Sequence, residues 1–168
     1  PHVRTQVVPY GAAQVRGECI GIRQSSNHAP FCFTATQQNA AFVALVRASI
    51  PREFADFTFS AMQVNRSLRP LVHRDSANLG RSLTIGLGPY ASGALWQSLV
   101  DDPDNFVTQV ASYPPWSWTL MDGSSLHAST PFAGERSSLV LCLSRGLAAS
   151  DAARRYGPGG AAWSRSCA

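Results

Sequence analysis

SWTLMDGSSLHASTPFAGERSSLVLCL, residues 117–143, reads as three short strands joined by turns. Ser117 to Met121, Ser124 to Ala128 and Ser137 to Leu143 supply the apolar and Thr/Ser-rich runs, and Asp122-Gly123 is most simply the turn between the first two. Outward from this stretch the pattern repeats. Phe57 to Asn65, Ser82 to Leu87 and Ala94 to Leu99 read as strands, as do RGECIGIR (Arg16 to Arg23) and, more weakly, Thr5 to Pro9. One helix interrupts them, from about Thr36 to Ser49, where Phe42, Leu45, Val46 and Ser49 follow three-and-four spacing until Pro51 stops it. Short strands punctuated by Gly and Pro predict a mainly β fold with a supporting helix, a sandwich or jelly roll rather than alternating α/β units.

The 168 residues, 45% hydrophobic and 14% charged, suffice for one globular domain that needs no disulfide or metal staple in order to fold. The low charge and ample aliphatic content argue against disorder of the chain as a whole. No apolar run reaches the roughly 18 to 20 residues of a membrane-spanning helix. The net charge is +4, and all 14 cationic residues are Arg. Arg suits bidentate contacts to phosphate or carboxylate, but these residues are scattered, and a GC-rich coding background explains the bias as well. Cys19, Cys32, Cys142 and Cys167 form neither a C-x-x-C pair nor a disulfide scaffold, and they read as thiols in a reducing, intracellular setting. The chain begins Pro1-His2 without Met or a visible leader, which suggests a fragment.

The expected organisation is a domain over residues 1–143, with its chemistry in about 54–143, and an Ala/Gly/Ser/Arg-rich tail over 144–168. That tail is either a short helix, Leu147 to Tyr156, followed by disorder, or flexible throughout. Residues 100–115 read as a surface loop with a partial strand near Phe106 to Val110.

His73-Arg74-Asp75 carries the first chemical signal. Residues two apart on an extended strand share a face, so His73 and Asp75 can present an imidazole nitrogen and a carboxylate oxygen to one point. Alone, H-x-D is weak. His127 follows 54 residues later, in a strand-like segment, and Arg136 follows it by nine. Two His and one carboxylate form the facial triad of non-haem Fe(II) oxygenases, which leaves three coordination positions open for a bidentate cosubstrate and O2. An Arg after the distal His fits the far carboxylate of 2-oxoglutarate, and alternation puts the Ser138 hydroxyl on the same face as Arg136. The bland alternative is a surface His73–Asp75 pair and a satisfied core histidine at 127.

HRDSAN (73–78), RSLTIGLGPYASGALW (81–96) and DGSSLHASTPFAGERSSLVL (122–141) together resemble the Fe(II)/2-oxoglutarate-dependent dioxygenase superfamily and, within it, the Tet/JBP-like group of nucleic-acid base oxygenases. The resemblance implies a double-stranded β-helix, cupin-like core that hydroxylates a C–H bond. It implies Fe(II) held by His73, Asp75 and His127, and 2-oxoglutarate held by Arg136 with Ser138 and, at its near end, Asn65. O2 and 2-oxoglutarate would be cosubstrates, DNA or RNA the partner, and Asn78 the contact to a methylated base. Asn78 capping a turn before Gly80 is the competing reading. Three departures stand out. Ser92 replaces a Gly in the turn Gly88 to Gly93, Cys142 stands where a DNA-repair branch carries a second Arg, and no Lys is present for a prolyl-hydroxylase-type cosubstrate site. A protein or small-molecule substrate, or an inactive jelly-roll binding module, are the alternatives. Tyr90 and Trp96 read as packing residues rather than stacking platforms.

Overall fold

A computed structural model describes residues 16–23, 31–32, 38–99, 110–145 and 147. The expected strand Thr5 to Pro9, residues 106–109 of the partial strand and the tail beyond Leu147 lie outside them. Among the described residues eleven strands and one α-helix follow the order β1 (Arg16–Arg23), β2 (Phe31–Cys32), α1 (Ala40–Ser49), β3 (Ala61–Arg66), β4 (Asn78–Leu87), β5 (Tyr90–Ser92), β6 (Leu95–Ser98), β7 (Val110–Tyr113), β8 (Thr119–Asp122), β9 (His127–Ser129), β10 (Phe132–Gly134) and β11 (Ser137–Ser144), with a 3-10 turn at Arg52–Phe54. All pairings are antiparallel. A six-stranded sheet runs β2-β1-β3-β11-β4-β8, and β7-β6-β9 and β10-β5 form smaller sheets. The mainly β, jelly-roll expectation holds.

Period-two alternation divides the large sheet into two faces with different jobs. Met62 and Val64 of β3, Leu83, Ile85 and Leu87 of β4, and Leu139 and Leu141 of β11 enter the hydrophobic core, together with Ile20 and Phe59. Their strand neighbours Gln63, Asn65, Thr84, Ser138, Val140 and Cys142 line a cavity instead. Register fixes this division: Leu139 pairs with Val64 and Ile85, while Ser138 pairs with Asn65 and Gly86. A slip of one residue would exchange core and cavity faces, so burial of the Leu/Ile/Met face holds the polar face in place.

Helix α1 closes the core with Val43 and Val46, both buried. Ile50 has ψ 124, the extended conformation that Pro51 imposes on its predecessor, and the helix ends there. Leu45 departs from expectation. It is 66% exposed, because the buried stripe is Phe42, Val43, Val46 and Ile50. The helix is short enough that two registers of the three-and-four pattern fit its sequence, and only packing selects one. Trp118 packs against the core, whereas Trp116 is exposed at the rim. Among the described residues no helix is long and apolar enough to cross a membrane.

Candidate metal centre

The segment carrying His73 and Asp75 is not the expected strand. His73 forms an isolated antiparallel bridge with His127, and Asp75 opens a turn in which Asn78 N donates to Asp75 O at 3.1 Å. The segment is tied instead, step by step, to the turn and strand after β8. Asp75 N donates to Gly123 O at 2.7 Å, the Arg74 guanidinium to Ser124 O at 2.7 Å, and His73 exchanges backbone bonds with His127. Gly123 permits the close approach, since a Cβ there would stand 3.2 Å from Asp75 Cβ.

This lacing gathers three donors. One ligand atom from each of His73, Asp75 and His127 lies within 4.8 Å of the others. His73 Nε2 is 3.8 Å from Asp75 Oδ1, and His127 Nε2 is 3.8 Å from Asp75 Oδ2. His73 Nδ1 lies 2.7 Å from Leu71 O, and His127 Nδ1 lies 2.9 Å from Ser125 O. A carbonyl only accepts, so each Nδ1 carries a proton, which leaves Nε2 as the nitrogen of each ring that can ligate a metal. The donor set suits a divalent transition ion: two imidazoles and one carboxylate, with no fourth His, Cys or acid in the cluster among the described residues.

Asn78 is buried and begins β4. Its Nδ2 donates to Asp75 Oδ2 at 3.3 Å and to Ser82 Oγ at 3.4 Å. It therefore lies on the cavity wall while its amide serves the carboxylate, a combination of the turn-capping and site readings.

The cavity between the sheets encloses about 680 Å3 with the open solvent at its mouth included, and the triad is part of its lining. Arg136 lines it too, at 6% exposure. Its Nη1 donates to Leu68 O at 3.3 Å, its Cζ lies over the Tyr90 and Phe132 rings at 5.6 and 5.5 Å from their centroids, and its Nε has no partner among the described residues. No acidic side chain among those residues pairs with it. A buried cation without an anion is costly, so a carboxylate-bearing ligand fits this position. Ser138 and Asn65 stand nearby on neighbouring strands, the Asn65 amide donating to Ser138 Oγ at 3.4 Å. Every site residue expected from the sequence, namely His73, Asp75, Asn78, His127, Arg136, Ser138 and Asn65, lines this one cavity. The sequence reading did not foresee Tyr90 and Phe132 as the aromatic cover of Arg136. Their signal was present in the glycine-flanked GPYASG turn, which brings β5 against β10.

No protein-family profile and no curated protein sequence matches the chain. Among solved structures, one similar chain is the crystal structure of an oxidoreductase of the 2OG-Fe(II) oxygenase family from Burkholderia pseudomallei. It superposes with a TM-score of 0.53 at 18% identity over 83% of this chain and 74% of the other. The likeness establishes the fold. The resemblance to the Tet/JBP-like group rests on the sequence motifs alone.

Proposed function

We propose that the chain is an Fe(II)- and 2-oxoglutarate-dependent oxygenase that hydroxylates a C–H bond. The observation that carries this reading is one cavity lined both by a two-His, one-carboxylate cluster and by a buried Arg136 that has no acidic partner among the described residues. In this reading His73 Nε2, Asp75 and His127 Nε2 hold the iron. Arg136 receives the far carboxylate of 2-oxoglutarate, Ser138 adds a hydroxyl to it, and Asn65 stands toward its near end. When bound, iron with 2-oxoglutarate and O2 supplies the oxidative chemistry, which no amino-acid side chain provides.

The chain's own residues supply placement. Leu71 O and Ser125 O hold the two imidazoles in the tautomer that can ligate. Asn78 engages one carboxylate oxygen of Asp75 and leaves the other to the metal, which keeps coordination positions open. Apolar walls from Leu68, Met121 and Val140 restrict water around the charged groups and strengthen their attraction for ligands.

The test is equilibrium Fe(II) binding under nitrogen, followed by conversion of 2-oxoglutarate to succinate in air over a broad substrate panel, with His73→Ala as control. Absence of iron binding in the wild-type chain would sink the proposal. For the substrate, a methylated nucleic-acid base is supported by the sequence resemblance and by the place of Asn78 on the cavity wall. Mass spectrometry of modified DNA and RNA oligonucleotides checks it. Exclusive oxidation of a peptide or metabolite would replace this substrate and leave the chemistry standing.

A further inference from the structure

Three successive carbonyls of the turn after β8 hold parts of the candidate metal centre. Gly123 O accepts from Asp75 N at 2.7 Å, Ser124 O accepts from the Arg74 guanidinium at 2.7 Å, and Ser125 O lies 2.9 Å from His127 Nδ1. The turn therefore sets where Asp75 stands and which His127 nitrogen is left to ligate, and whatever fixes the turn acts on both ligands. Asp122 shapes it locally. Its carboxylate accepts from Ser124 N, Ser124 Oγ and Ser125 Oγ, and its carbonyl accepts from Ser125 N at 3.1 Å.

Gln97 ties the same turn across the sheets. β8 is the last strand of the large sheet, so an N–H on its outer edge has no strand to pair with. Asp122 N is such a group, and Gln97 Oε1 accepts from it at 2.8 Å. Gln97 is 8% exposed and belongs to β6 of the three-stranded sheet, where its backbone is paired with His127 of β9. One side chain thus joins the backbone beside His127 to the turn that holds Asp75 and the His127 ring, from outside the lining of the cavity. Without its oxygen the Asp122 N–H must find another acceptor, and the turn moves with it. We infer that, in the metal centre proposed above, on which this assignment rests, Gln97 is a positioning residue: by holding Asp122 N it places the carbonyls that set Asp75 and the His127 tautomer, and through them it sets metal affinity and coordination geometry.

The experiment is Co(II) titration of the full chain under nitrogen, read by the visible ligand-field bands of the bound ion, with thermal melts of the metal-free protein alongside. Gln97→Leu keeps the bulk of the side chain and removes the acceptor. It should weaken Co(II) binding about tenfold or more, as loss of a group supporting metal ligands does, and alter the bands. Gln97→Glu, which keeps an acceptor oxygen at the same reach, should bind more tightly than Gln97→Leu and retain the wild-type bands. Gln97→Asn draws the oxygen back by one methylene, so it should resemble Gln97→Leu, and it takes the place of that variant if the leucine chain does not fold. Unchanged affinity and bands in the Leu and Asn variants overturn the inference, whether or not their melting temperatures fall, since a fall alone marks a merely structural bond. So does a Glu variant no better than Leu, which marks packing rather than the acceptor. If wild type binds no Co(II), the metal reading falls and the Gln97 assignment with it, an outcome distinct from selective loss in a variant.

Discussion

His73 and His127 stand 54 residues apart in the chain yet donate to each other's carbonyls, N to O at 3.1 and 3.0 Å, which brings their ring centroids to 4.3 Å. The pairing is made by backbone, so it survives loss of either ring. His73→Ala should therefore keep the fold and lose the metal: circular dichroism and melting near wild type, with divalent-metal affinity down at least about 100-fold in titration. A variant that unfolds would show that the ring, and not the bridge, holds the segment.

Asn78 acts on the same centre at one remove. Because its amide donates to Asp75 Oδ2 at 3.3 Å, Asn78→Ala should free the carboxylate to rotate and weaken metal binding by about 10- to 100-fold. Asn78→Asp should weaken it further, since a second carboxylate would face Asp75 without metal between them. Metal titration of both variants checks the order. If Asn78→Ala binds metal like wild type and loses only turnover, the residue serves substrate alone.

A pH effect is built into the turn before His127. Asp122 accepts from Ser124 N at 2.9 Å, Ser124 Oγ at 2.7 Å and Ser125 Oγ at 3.3 Å, and the Ser124 hydroxyl above all holds its carboxyl below the usual carboxylate range. A depressed folded-state pKa means that this contribution is complete above the unfolded value, near 4, and is lost as pH falls through the folded one. Asp122→Asn should cost about 1 kcal/mol at pH 7 and progressively less as the medium is acidified below pH 4. Urea melts at pH 7 and pH 3 measure it, and a cost that stays constant with pH would contradict the linkage.

The departure at Ser92 has a measurable consequence. Ser92, the last residue of β5, adopts φ 64, a left-handed conformation, directly before Gly93 at φ 74. Serine there bears a steric cost that glycine avoids, so Ser92→Gly should stabilise by about 0.5 to 1 kcal/mol despite the added freedom of the unfolded chain. Gly88→Ala should do the reverse and more strongly, because its φ is 119 and a Cβ would run into Glu135 O. Thermal melts of the two variants should move in opposite directions.

Much of this was legible beforehand. Strand β11 was found within one residue, Ser137 to Leu143 against Ser137–Ser144, because its apolar run and alternation point the same way. The candidate ligands His73, Asp75 and His127 are legible from residue type and order. Their local geometry is not. The backbone bonds from 73–75 to 123–127 are long-range, and no propensity within a window encodes them. Strands β5 and β10, three residues each, are held by each other rather than by their own sequences, so neither was foreseen.

Helix α1 offers the sharpest contrast between pattern and packing. Leu45 and Val46 are adjacent and equally apolar in a sequence reading, but Leu45 is exposed and Val46 buried against the core. Deleting buried methyls loses transfer free energy and leaves a cavity, so Val46→Ala should cost about 1 to 3 kcal/mol. Leu45→Ala should fall within about 0.5 kcal/mol of wild type, as surface changes do. Urea unfolding of the two single variants decides the register of the helix. Equal costs would mean that Leu45 is covered, by the chain outside the described residues or by a partner, and the exposed face of α1 would then need an occupant.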